Sequence, residues 1–140
     1  MKPVLLSDRP NGQGVVVAMV VPIAFGALAG WALGVSEIGY LVLALLGIAG
    51  GYVAGLEHDY PIDGVYRGML GGLLFGSSIL ITNGLIDKEP KAELPHPETL
   101  LIVITAGFGL LLGWLGARSR AKRDAKERAA PRAGEPVGKL

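Results

Sequence analysis

Cysteine is absent from this 140-residue chain, which excludes disulfides and thiolate metal sites and removes any reading of the redox compartment. Charge is missing just as thoroughly from three long stretches. Residues 14–35, 38–56 and 100–117 contain no Asp, Glu, Lys or Arg, and residues 65–86 contain only Arg67. Proton-coupled antiport, rotor function through a membrane carboxylate and redox proton pumping all need an Asp, Glu or His near mid-span, and no such residue stands there. Catalytic signatures are missing as well. No Gly-rich phosphate loop lies between a strand and a helix, no Ser or His sits in a nucleophile setting, and no paired carboxylates fall in an apolar run. The expected class is non-enzymatic, with no cofactor and no metal.

What is present is apolar surface in four blocks. Each block approaches or exceeds the roughly 18 to 20 residues needed to cross a hydrocarbon core of about 30 Å. The expected fold is all-α: an integral membrane four-helix bundle built from two antiparallel hairpins, with helices at about 14–35, 38–56, 64–86 and 98–117. A lead over residues 1–13 precedes the bundle, and a basic tail over residues 118–140 follows it. The lead with Lys2 and Arg9, the apolar run and Ala27-Leu28-Ala29 also fit a cleaved signal peptide. The run continues through Trp31 to Val35, well beyond an h-region of about 7 to 15 residues, so an uncleaved anchor is expected. Pro22 inside it removes a backbone donor and predicts a kink. Residues 87–98, with Pro90, Pro95 and Pro97, read as an exposed loop. The Ala, Arg, Lys and Glu that follow the last run favour a helix extending to Pro131.

Orientation follows from the Lys/Arg distribution. With four spans and both ends on one side, that side holds Lys2, Arg9, Arg67 and the eight basic residues of the tail, against Lys88 and Lys91 on the other. The expectation is a multi-pass protein of the cell membrane with both termini cytoplasmic.

Twenty-two glycines are the strongest pattern. In water each would weaken a helix by about 1 kcal/mol relative to alanine, whereas between membrane helices small residues allow close backbone approach. Gly26, Gly30 and Gly34 share one face, as do Gly47, Gly51 and Gly55, then Gly68, Gly72 and Gly76, then Gly109 and Gly113 with Gly116. Gly-x-x-x-Gly spacing predicts right-handed crossings near −40°. Four striped helices offer more groove than a small bundle readily uses, which suggests a homo-oligomer or docking into a larger membrane complex. Gly47-x-x-x-Gly51-Tyr52 and Gly109-x-x-x-Gly113-Trp114 echo one another on helices of the same direction, and Gly26-x-x-x-Gly30-Trp31 reads alike in the opposite one.

Uncharged polar residues supply an alternative. Ser77, Ser78 and Thr82 in the third helix and Thr105 in the fourth suggest a polar seam between the last two helices, hence a small oligomeric channel or facilitator. Arg67, about one turn inside the third helix, is expected to snorkel to the interface, with Asp59 or Asp63 as its partner. Glu57, His58, Asp59 and Asp63 include metal-ligand types, but His96 falls at the opposite end and the four read as a solvated loop. Tyr52, Tyr60 and Tyr66 around that loop fit an interfacial aromatic belt. Arg118, Arg120, Lys122, Arg123, Lys126 and Arg128 form a juxtamembrane cluster expected to meet anionic lipid headgroups, at about 1 kcal/mol per basic residue near the surface. No aromatics interleave these charges and Asp124 and Glu127 dilute them, so nucleic acid is not an expected partner.

In size and helix count the chain resembles small multidrug exporters and dual-topology fluoride channels. The exporters' membrane-embedded glutamate has no counterpart here, and Phe25, Phe75 and Phe108 are scattered over three helices rather than forming the channels' phenylalanine-rich signature. The charge bias also argues against dual topology.

Overall fold

A computed structural model describes residues 5, 8, 10 and 12–130. They form four helices: α1 (Gln13–Leu33), α2 (Glu37–Gly55), α3 (Pro61–Ile86) and α4 (Leu100–Ala129). Each is long and apolar enough to cross a membrane, and only 11% to 33% of each apolar window is buried within the chain. Side chains such as Ile38, Leu45, Val103 and Leu85 are largely exposed. Apolar residues therefore dominate the outside of the bundle as well as its inside, which is compatible with helices that cross a membrane.

The boundaries follow from local chemistry. Ser36, in an extended conformation, caps α2 by accepting a hydrogen bond from the Gly39 N–H at 3.2 Å, and Glu37 places a carboxylate beside the positive end of the helix. Pro61 opens α3 at its first turn, where its missing N–H costs nothing, so α3 begins three residues before the expected position. Asp87 ends α3 in the left-handed region, with φ 53°. Pro22 is buried inside α1, which continues through it as one helix to the Gly34 cap. α4 runs on through Ala129 without interruption, as the helix-forming composition of its charged half leads one to expect.

α3 and α4 make the most extensive contact; α1 packs on α3 and α2, and α2 also packs on α4 and α3. One end of the bundle carries the α2–α3 turn and the charged extension of α4 (the tail end). The other carries the α1–α2 turn and the 87–99 connection (the loop end). Near the loop end Ala29, Ala32, Leu33, Tyr40, Phe75, Ile79 and Leu101 form an apolar core. The proline-rich connection is not simply an exposed loop, because Ala92 and Leu94 pack against this core. Its Lys91 N–H also donates to the Leu33 carbonyl at 2.8 Å, satisfying one of the groups that a helix C-terminus leaves open.

Candidate functional site

At many of the stripe glycines a neighbouring helix backbone stands too near for a side chain. α3 and α4 run antiparallel, and a Cβ added at Gly68 would strike the Gly109 carbonyl while one at Gly109 would strike the Gly68 carbonyl. Gly64 and Gly113 block one another in the same reciprocal way one step along, and Gly72 lies against the Thr105 carbonyl. Gly76 lies against the Thr105 hydroxyl, which donates to the Leu101 and Ile102 carbonyls, each at 3.0 Å. On the other faces, Gly26 and Gly30 abut the Phe75 and Ile79 backbone of α3, Gly55 abuts Gly113, and Gly116 abuts Tyr52 and Gly55. Gly47 receives the Phe75 ring, Gly51 faces Leu112 at 3.7 Å, and Gly34 faces the Lys88 side chain at 3.0 Å. Every glycine of the four stripes thus meets a group of this same chain. Much of the groove is therefore used inside one chain, although Gly47, Gly51, Gly68, Gly72 and Gly109 also border open space.

The expected Ser/Thr seam is divided between two interfaces. Ser78 and Thr82 place their Cβ atoms against Gly26 and Gly30 of α1, whereas Thr105 sits between α3 and α4 against Gly76. Ser77 is half-buried on α3. The reason is angular: Gly76 and Ser78 are two residues apart, which on a helix turns them to different neighbours.

What the packing leaves open is a cleft of about 290 Å³ bounded by all four helices. Its wall is apolar apart from Tyr40, Thr105 and Arg67, and seven of its residues are glycines, Gly50 and Gly71 among them. Wall residues Phe25, Ile104, Phe108 and Gly50 are exposed on the flank, so the cleft opens sideways. On α2 the wall reaches from Tyr40 to Ala54, about 21 Å at 1.5 Å per residue. It is long and narrow. The stripe glycines bring the helices together, and Gly50 and Gly71, which stand just before Gly51 and Gly72, add no side chain to the cleft wall. The doublets Gly50-Gly51 and Gly71-Gly72 were the signal for this in the sequence, since only one member of each can lie on the stripe.

Arg67 makes contacts within the bundle. It stands six residues past Pro61, about 9 Å into α3. Its guanidinium reaches both along its own helix and across to α1: Nη1 lies 3.2 Å from where a Gly71 Cβ would be, and Nη2 donates to the Val17 carbonyl at 3.4 Å. Asp59 has Arg120 as its ion-pair partner, at 3.3 Å.

That contact sets Arg120 apart from the other basic residues of the tail. Arg120 is turned inward, its side chain only 12% exposed, and Nη1 donates to the Leu56 carbonyl at the end of α2 at 2.7 Å. Nε also faces Asp124 at 3.8 Å. Arg118 lies over the Trp114 ring at 4.8 Å, while Lys122, Arg123, Lys126 and Arg128 are exposed. Glu57 is buried, so the α2–α3 turn is only partly solvated, and the His58 Nδ1 bonds the Ala54 carbonyl at 3.1 Å. Among the described residues, no three of His, Asp and Glu gather into a metal-binding group.

Comparison with known proteins found no matching family model, no similar curated protein and no similar solved structure.

Proposed function

We propose that this is a small non-enzymatic multi-pass protein of the cell membrane, with both termini cytoplasmic, that holds a lipophilic molecule in the cleft between its four helices. The observation that supports this most directly is the cleft itself. It is long, apolar and open to the flank, the side from which a molecule dissolved in the bilayer arrives. Pockets for small molecules are typically apolar with few polar groups, and in a membrane the gain on binding comes from close van der Waals contact rather than from leaving water. The Lys/Arg distribution supports the orientation, and the glycine contacts support a bundle held by close backbone approach.

Two other readings have less support. A channel would need a continuous polar path, and Ser78 and Thr82 lie on a different interface from Thr105. Self-association or docking through the glycine faces has less support because the stripe glycines already meet groups of this same chain.

The test is native mass spectrometry of the full chain released from mild detergent, with the bound molecules extracted and identified. The expected result is protein carrying a lipophilic adduct. Gly50→Leu should lose it, because Gly50 borders the open flank of the cleft and a Cβ there meets nothing within 4 Å, which leaves room for a large side chain to obstruct the opening. Gly84→Leu should keep it, because Gly84 is equally open but lies outside the cleft. Retention of the adduct by the Gly50 variant would overturn the proposal.

A further inference from the structure

The cleft's wall contains one charged side chain, Arg67, and its position gives the cleft a direction. We infer that the ligand is an anionic amphiphile, with a carboxylate or phosphate head on the Arg67 guanidinium and a linear hydrocarbon chain running from there toward Tyr40 at the loop end. This rests on the cleft being a binding site and adds which chemistry it takes and which way round.

Three features support the assignment. Arg67 lies in the tail half of the cleft, next to Gly68, which meets the Gly109 that Gly51 of α2 also faces, whereas Tyr40, Ile79 and Leu101 line the loop end, so charge and hydrocarbon length are separated as they are in an amphiphile. The guanidinium leans over Gly71, a wall residue of the cleft that has no side chain to cover it. A guanidinium also presents planar N–H donors in a fork that matches carboxylate and phosphate. The interior polar hydroxyl of Thr105 is taken up by its own helix and does not compete as a headgroup site.

The experiment uses palmitate as the anionic probe, hexadecanol as its uncharged counterpart and phosphatidylglycerol as the phosphate-headed one, each added to the full chain in dodecyl maltoside and read by native mass spectrometry. Palmitate should bind the natural protein more tightly than hexadecanol. Arg67→Gln should weaken palmitate by about tenfold, the loss expected for a charge-assisted hydrogen bond, and leave hexadecanol unchanged. Arg67→Lys should fall between. Gly71→Leu covers the headgroup position while its only close neighbour is the Arg67 Nη1, so it should lower palmitate binding even if Arg67→Gln fails to fold. Comparison of palmitate with phosphatidylglycerol tells a carboxylate-headed from a phosphate-headed ligand. Equal binding of palmitate and hexadecanol, unchanged in both variants, would overturn the headgroup assignment while leaving the cleft as a site. Binding of none of the three probes by the natural protein would overturn both.

Discussion

At the scale of single residues, glycines of identical chemistry have opposite sensitivities. Gly68 and Gly109 face each other's carbonyls, so Gly68→Ala or Gly109→Ala must push two helix backbones apart, and overpacking of this kind costs about 1–3 kcal/mol. Gly50 meets nothing within 4 Å, so Gly50→Ala should gain up to about 1 kcal/mol from helix propensity. Unfolding by increasing SDS in mixed micelles checks the ordering, with the Gly68 and Gly109 variants below the natural protein and the Gly50 variant level with it or above. Equal loss at all three positions would mean that glycine acts through flexibility rather than through contact. The sequence placed Gly68 and Gly109 on stripes, but no spacing rule says which neighbour fills the groove. Arg67 shows the same limit. Its presence in an apolar run was legible, whereas the turn of its guanidinium toward Gly71 depends on α1 supplying the Val17 carbonyl from 50 residues away.

At the scale of elements, the charged half of α4 is pinned by one side chain. The Arg120 bond to the Leu56 carbonyl is charge-assisted and closes the negative end of α2, a combination worth about 1.5–3 kcal/mol. Its pair with Asp59 is different, because that carboxylate is 49% exposed and exposed pairs contribute at most about 1 kcal/mol. Arg120→Ala should therefore destabilise the protein by about 1.5–3 kcal/mol, and Asp59→Ala by less than about 1 kcal/mol, in the same SDS titration. Arg120→Ala should also speed tryptic cleavage after Arg123 and Lys126, since the extension loses its anchor on the α2–α3 turn. The element pattern of four apolar helices was readable because hydropathy and length carry it. The division of the tail into one inward arginine and a set of exposed basic residues was not, because all six look alike along the chain.

For the whole molecule, absence of native cysteine makes the orientation directly measurable. Glu93→Cys in the connection and Ala130→Cys beyond α4 lie at opposite ends of the bundle. A membrane-impermeant maleimide should label the first in intact cells and the second only after permeabilisation; the reverse pattern would invert the proposed topology. The stoichiometry is a second test. Because the stripe glycines meet groups of this same chain, native mass spectrometry should show a monomer, and a defined oligomer would place the contact on the cleft face or on the exposed aliphatic surface. The two experiments are independent, since topology depends on the Lys/Arg distribution and stoichiometry on what the helix faces meet.

Four helices, their approximate ends, their membrane-compatible character and the faces on which glycines lie were all determined by the sequence alone. These are local or periodic properties, and a run of apolar residues or a spacing of four encodes them without reference to any partner. Tertiary structure alone decided which groups meet the stripes, that Ser78 and Thr82 part company with Thr105, and that a cleft remains with Arg67 in its wall. Those features arise from which helix stands beside which, and in a bundle whose four helices are all apolar and glycine-rich, many pairings satisfy the same local pattern. Only the packed chain distinguishes a groove that is filled from one that stays open.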